Sequence, residues 1–538
     1  MRLPFFSKPR AEISARLSPP RNRVPKAKGT PWALLLPLLF VSLLIGMVGG
    51  LDSPILLLIV VGAVFAILLF LMANLYGLIV ILFVATFLVQ GTALYFLRVK
   101  AAVWVTVGFA LMFLARTLLE MFLRRRPKGE VMPAREGSAV MVAAGLFLLC
   151  FGMSTVINRI PAAQLLSSTK ATLPMFGVLM ALYWMRWDQR HLKKLWGLMI
   201  LVALLQLPLV VYQHFFIAGA HTYDSIVGTF GGTPGFGGNS AGLVIFMLTI
   251  MVYALARWDR GLMSTSRAAM IVIVGVGIVL LGEVKAAFLW LPLVTFWVLR
   301  KRIMKNALFM VSYIMLIVVF VVSTYAVYTA LYWGKAANKG HTVAEKFDAR
   351  GGYFFDPHSI NYQTGEVSRA ASLAIWFNDG SSSLPRRLVG FGPGASKPSG
   401  LLGAGEVARR FAPLYVDATA LAILLWDEGI LGALAFTLLI LVALRTGRRV
   451  AANKKLDGER LAIVETCVPM LLVLLSTLVY NRNVMEEPTA ELLLMFCIGS
   501  ILQIGRFGAA DVAAATPADP PSRTHSLKLA VHPAGLRA

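Results

Sequence analysis

The chain has 538 residues, 58% of them hydrophobic and only 14% charged, with a mean hydropathy of +0.74. A soluble domain of this length needs a far more polar surface, so a soluble enzyme is excluded and an all-α polytopic integral membrane protein is expected. The net charge of +25 would otherwise point to nucleic acid. Here the Lys and Arg residues punctuate apolar runs, where they set membrane orientation.

Residues 1–30 form a basic arm carrying Arg2, Lys8, Arg10, Arg16, Arg21, Arg23, Lys26 and Lys28. No small-x-small cleavage pattern follows, so the first apolar run reads as a signal-anchor helix. Bilayer-length runs then fall near 32–50, 54–72, 75–96, 101–123, 139–157, 172–186, 194–213, 240–256, 267–282, 285–299 and 306–330. Three more fall near 414–444, 461–480 and 490–505, making about fourteen transmembrane helices. If the arm is cytoplasmic, RRRPK at 124–128, RWDQRHLKK at 186–194, RWDR at 257–260, RKR at 300–302 and RTGRRVAANKK at 445–455 all fall inside. LRVK at 97–100 is a mild violation. The parity predicts both termini in the cytoplasm and one large periplasmic loop at 331–413. The tail at 506–538 is rich in Pro and Ala and reads as disordered. Cys150, Cys467 and Cys497 lie inside apolar runs and read as small core residues.

Candidate chemistry collects on the outer face. GEVK places Glu283 and Lys285 at the apex between two spans. They read either as a pair that solubilises a tight turn or as a positive charge aimed into an outward cavity. VGTFGGTPGFGGNSAG at 227–242, with Asn239, is either a flexible re-entry turn or a place where backbone approaches a ligand. No strand precedes it, so a nucleotide fold is excluded. The long loop carries Arg350, Arg369, Arg386 and Arg387, then the turn of Gly390, Gly392 and Gly394. Arginines there are either solvated charges or bidentate donors to phosphate or carboxylate. VSRAASLAIW at 367–376 fits an amphipathic helix that would lay Arg369 against the membrane domain. Asp417 opens the next span as a cap or as a functional acid. Asp427 and Glu428 lie deeper, where acids line a polar cavity or mark a broken helix. The histidines lack paired ligand spacing; His358 reads as a solvated loop residue or a base, and neither metal nor cofactor is expected.

Taken together, the segment at 225–445 resembles the O-antigen ligase and O-antigen polymerase family of bacterial envelope enzymes. The resemblance rests on Gly228–Phe230 with Asn239, on Lys285, on Arg369 with Trp376, on the 386–394 turn, and on the acidic-Gly-x-x-Gly pattern at 427–432. It implies a glycosyltransferase in the inner membrane, acting at the periplasmic face on a polyprenyl-diphosphate-linked glycan, without nucleotide or metal. A chain-length regulator or a flippase would be its protein partners, and no nucleic acid is implied. By the same resemblance Arg369 and Lys285 would hold the diphosphate, with Arg386 or Arg387 assisting, and Asp417 would act on the acceptor hydroxyl. Two departures stand out. Lys285 occupies a position where the family usually has arginine, and the ligases' His-Asn-like pair falls on Ala418 and Thr419. The missing histidine favours a polymerase over a ligase that transfers finished glycan to a lipid core. A lipid-linked glycan transporter or flippase is the alternative from another class.

Overall fold

The computed structural model describes residues 54–123, 136–170, 172–217, 226–233, 237–282, 284–332, 355–398 and 403–515. The basic arm, the first apolar run and Arg350 lie outside them. The chain divides into two compact units, 1–72 and 73–538. The first is described as one apolar helix, α1 (Pro54–Met72).

The described residues of the second unit are mainly helical, with one two-residue β-ladder and an isolated bridge between Ile360 and Val367. Its first helices are α2 (Leu75–Phe96), α3 (Ala102–Leu123), α4 (Ser138–Ile157), α5 (Ala162–Thr169), α6 (Thr172–Trp184) and α7 (Gln189–Phe216). The ladder pairs β1 (Gly232–Thr233) antiparallel with β2 (Gly237–Gly238), in register Gly232 to Gly238. Then come α8 (Ser240–Asp259), α9 (Thr265–Leu281), α10 (Ala287–Lys305) and α11 (Ala307–Tyr332). Among the described residues of the long loop are three short helices, α12 (Arg369–Asn378), α13 (Leu384–Val389) and α14 (Glu406–Arg410). The chain closes with α15 (Ala420–Asp427), α16 (Gly429–Ala451), α17 (Gly458–Tyr480), α18 (Asn483–Glu486) and α19 (Pro488–Ala515). Among the described residues nine helices of this unit are long and apolar enough to cross a membrane, or ten if α5 and α6, bent by 56°, form one span. That makes the chain a helical membrane protein of many spans.

Helices α8, α17 and α19 form the centre, and their apolar windows are buried for most of their length. Helix α11 packs on α10 through Phe320, whose ring centre lies 5.8 Å from that of Phe288, and through the Tyr313 hydroxyl, which donates to the Pro292 carbonyl; most of its other apolar side chains are exposed, as on a lipid-facing helix. The core is largely aliphatic and holds an aromatic cluster: Phe83 packs edge-on to Phe87 and Phe496, and Trp196 lies against Tyr253 and Phe496.

A turn at 226–231 is driven into this core. Non-helical backbone at that depth must have its polar groups met by protein. Gln213 accepts from the amides of Val227 and Gly228 at 3.1 and 2.8 Å and donates to the Gly228 carbonyl at 2.8 Å. Gln206 accepts from the Thr229 amide at 2.9 Å. The Thr229 hydroxyl donates to the Phe87 carbonyl at 2.5 Å, inside a five-residue π-turn (Ala85–Val89) of α2. The wider π-turn frees carbonyls, and this one is taken by the incoming turn. A Cβ on Gly91 would stand 2.0 Å from the Thr229 carbonyl oxygen, so only glycine permits the approach.

The two ends of the bundle differ. At one, Glu459 of α17 pairs with Lys193 and Arg257 at 3.0 and 2.9 Å, and Glu465 pairs with Arg260 at 2.8 Å. The loop helices and the starts of α8, α10, α15 and α19 lie at the other. Two sequence-based boundaries change. The apolar run at 414–444 is not one helix: 414–419 is irregular, and the rest breaks between α15 and α16. Helix α19 runs past Arg506 to Ala515, because ADVAAA is strongly helix-forming.

Candidate functional site

The break between α15 and α16 organises the loop. Asp427 ends one helix, and Gly429 starts the next with φ +71°. The turn of residues 390–394 lies against this break. The amides of Phe391 and Gly392 donate to the carbonyls of Trp426 and Asp427 at 2.8 and 2.9 Å. The buried Asp427 carboxylate accepts from the amides of Gly394 and Ser396 at 2.7 and 2.8 Å. Helix α4 and the segment after it close the far side. Ser154 donates to the Asp427 carbonyl at 2.8 Å, and Asn158 and Gln164 donate to the carbonyls of Gly390 and Pro393 at 3.2 and 3.0 Å. Gly390, Gly392 and Gly394 all have positive φ, +84°, +99° and +80°. These glycines and Asp427 therefore hold the loop on the bundle. Glu428, behind them, is also buried, and its Oε2 lacks a hydrogen-bond partner among the described residues.

Arg386 and Arg387 serve the loop's own fold. Arg386 pairs with Glu406 at 2.6 Å and covers the Phe391 ring. Arg387 donates to the carbonyls of Phe377 and Asp379 at 3.3 and 2.7 Å. Arg410, which the sequence did not single out, pairs with Asp379 at 2.5 Å and stacks over Phe391, Phe411 and Trp426. Burial raises the Asp379 carboxyl, but hydrogen bonds from Ser382 and Ser381 and the Arg410 charge outweigh it and hold the pKa below the ordinary value.

Arg369 and Asp417 each reach the turn that leaves α17, at different residues. Helix α12 starts at Arg369, capped by the Ser368 hydroxyl, which accepts from the Ala371 amide at 3.0 Å. The half-buried Arg369 guanidinium donates to the Tyr480 carbonyl and lies 4.9 Å from the centre of the Tyr480 ring. The next residue, Asn481, accepts from the Ala420 amide at 2.9 Å. The one after, Arg482, bonds the buried Asp417 Oδ2 at 3.0 Å. Asp417 Oδ1 is buried with no hydrogen-bond partner among the described residues. Burial raises the Asp417 pKa, opposed by the Arg482 charge. From Arg482 the charges continue to Glu486 at 2.9 Å and on to Lys397 at 3.7 Å. Lys170 stands near the same group; burial, then the Lys397 charge, lowers its pKa.

Lys285 is half-buried in the turn before α10, five residues ahead of Trp290. The Trp290 ring lies 5.2 Å from that of Tyr480, so Lys285 is at the same end of the bundle as Arg369. Glu283 lies outside the described residues. Asn239 caps α8 and is buried. Its amide oxygen accepts from the Gly242 amide and from Asn483 at 3.1 and 2.6 Å. Its amide nitrogen donates to the Phe230 carbonyl and Thr489 at 3.2 and 2.9 Å. Its capacity is spent on tying the glycine-rich turn to α18. His358 is exposed in a turn. Among the described residues no three His, Cys, Asp or Glu side chains are grouped as a metal ion requires.

The arrangement is thus a buried carboxylate with one oxygen lacking a partner among the described residues, bonded to one arginine and near a loop helix that supplies a second. Such a group can orient or deprotonate a hydroxyl, while guanidinium and ammonium groups nearby receive an anion. Sequence reasoning missed Arg482, Glu486, Lys397 and Lys170. The available signal was the polar string NRNVMEE at 481–487, too charged for a simple connection between two spans. No protein-family model and no curated protein matches this chain.

Proposed function

We propose that this chain is a membrane glycosyltransferase of the polymerase type, working at the periplasmic face of a bacterial inner membrane. In this reading it crosses the membrane about fourteen times, with both termini cytoplasmic. Its substrates are oligosaccharide repeats linked to polyprenyl diphosphate, which it joins into an exopolysaccharide, capsule or O-antigen. The acceptor hydroxyl oxygen attacks the anomeric carbon of the donor sugar. The bond from that carbon to the phosphate oxygen breaks, and polyprenyl diphosphate leaves with the electron pair. Asp417 takes the hydroxyl proton through Oδ1, the oxygen that Arg482 does not bond, and Arg482 holds the carboxylate in place. Arg369 and Lys285 offset the charge that develops on the leaving diphosphate. Arg386, Arg387 and the three glycines keep the loop folded over the site.

The observation that supports this reading best is the convergence of Arg369 and Asp417, 48 positions apart in the sequence, on the single turn 480–482. The direct test is the lipid-linked glycan that accumulates in a deletion strain. Single repeat units are expected. Long unattached polymer would indicate a ligase, and units left facing the cytoplasm a transporter. Purified protein should also extend lipid-linked repeats with a chelator present and without nucleotide.

A further inference from the structure

The basic end of the bundle has no part in the site above, yet it holds two cavities on neighbouring residues. One, of about 360 Å³, lies between α10, α16 and α17 and is lined by Phe296, Trp297, Arg300, Arg448, Glu465 and Val468, with Ala451 at its edge. The other, of about 340 Å³, is lined by Lys301, Arg302, Lys305, Asn306 and Phe309 at the turn into α11.

The lining of the first cavity is graded with depth. At 1.5 Å per helical residue, Arg448 is about 5 Å from the end of α16 and Arg300 about 8 Å from the end of α10. Phe296 lies about 13 Å and Val468 about 15 Å inside their helices. Cations therefore sit near the helix ends and apolar groups toward the membrane centre. The one acid, Glu465, is committed to Arg260 at 2.8 Å, with Lys301 at 4.0 Å. Arg302 is committed to Asp259. Arg300 stacks 5.3 Å from the Trp297 ring centre, which holds its guanidinium at the aromatic interfacial level. Arg448 and Lys305 have no ion pair among the described residues. Orientation requires positive charge at this end, but it does not require a cavity that joins the charge to apolar walls.

We propose that this cleft binds the phosphodiester headgroup of an anionic phospholipid, with Arg300 and Arg448 on the phosphate and an acyl chain along Phe296, Trp297 and Val468. Paired arginines suit a phosphate diester, and a basic recess between helix ends at headgroup depth is where such lipids are recognised. A soluble phosphate would engage the same arginines but leave the apolar half of the cavity unfilled. The inference is independent of the catalytic reading.

The test uses the full chain purified in detergent, exchanged into mixtures of phosphatidylglycerol and phosphatidylcholine, and examined by native mass spectrometry for retained lipid. Phosphatidylglycerol should be retained about tenfold over phosphatidylcholine. Arg300→Ala with Arg448→Ala should remove that preference. Ala451→Trp, which keeps every charge and pushes a bulky ring into the cavity, should remove it as well, and it decides the matter if the double variant does not insert. Millimolar inorganic phosphate should not displace the lipid. Equal retention of both lipids, preference undiminished in Ala451→Trp, or full displacement by inorganic phosphate would overturn the proposal, the last by showing a free-anion site only.

Discussion

Replacing Gly390 by alanine tests how the loop is held on the bundle. Gly390 has φ +84° and ψ −176°, a region that essentially only glycine occupies, and a side chain there costs about 1–3 kcal/mol. The added methyl would stand 2.3 Å from the Asp427 carbonyl oxygen and 2.6 Å from the Gly429 nitrogen, both backbone atoms that no rotamer change can move. The turn and the helix break must separate, which breaks the bonds from Phe391 to Trp426 and from Gly392 to Asp427, now 2.8 and 2.9 Å. At roughly 0.5–1.5 kcal/mol each, the total becomes about 2–6 kcal/mol. That is enough to release the loop without unfolding the membrane helices. The variant should insert and purify normally, while protease cuts between 384 and 410 much faster and the Phe391 and Gly392 amides lose protection from hydrogen exchange. Gly392→Ala is the contrast. It shares the positive φ, but its methyl meets the Ile160 side-chain tip at 2.2 Å, which can turn away, so its effect should be smaller. Wild-type proteolysis and exchange in Gly390→Ala would refute the docking of the 390–394 turn on the break between α15 and α16.

Arg369→Ala should abolish polymer formation in an inserted, folded protein, and Arg369→Lys should fail nearly as badly, since an ammonium cannot both bond the Tyr480 carbonyl and grip two phosphate oxygens. The loss is about 2–4 kcal/mol of barrier, or roughly 30- to 1000-fold in rate. Arg409→Ala, at an exposed position, should be close to silent, and Lys285→Arg should retain activity; the reverse pattern in a polymerisation assay would show that the wrong arginine has been chosen. The acid limb of the pH–rate profile should lie above the ordinary carboxylate range, because burial raises Asp417, and Arg482→Gln should move that limb higher by removing the opposing charge. The same shift has a stability counterpart: the folded state binds the extra proton between the ordinary and raised values, so this group's contribution falls as pH rises through that window. Reporter fusions after Lys346 and Pro398 should read periplasmic, and those after Arg126, Arg302 and Lys454 cytoplasmic; a cytoplasmic signal at Pro398 would remove the basis of the enzymatic reading.

Much of the fold is a local property of the chain. Runs such as 75–96, 139–157 and 461–480 form helices because a bilayer-length apolar segment can satisfy its backbone only internally. The helix at Arg369–Asn378 follows from a serine cap and an amphipathic pattern, both contained within a dozen residues. The break at 427–429 was visible only as acids in an apolar run. Its meaning depends on the turn at 390–394, whose amides Asp427 receives and whose glycines allow the contact. For Asn239 the sequence leaves a re-entry turn and an approach to a ligand equally open, because it gives an amide its chemistry but not its partners.

Composition and periodicity alone determined that this is a many-helix membrane protein, where most of its spans run, and that its polar chemistry gathers near the long loop. Those properties come from each segment's own free energy of transfer into lipid and need no knowledge of neighbours. Which charges meet is set by the packing of the bundle. It paired Asp417 with Arg482, set Arg369 on Tyr480, and assigned Arg386 and Arg387 to holding the loop together. An electrostatic contact depends on separation in space to within a few ångströms, and for residues 65 positions apart, as Asp417 and Arg482 are, packing of the whole bundle sets that separation.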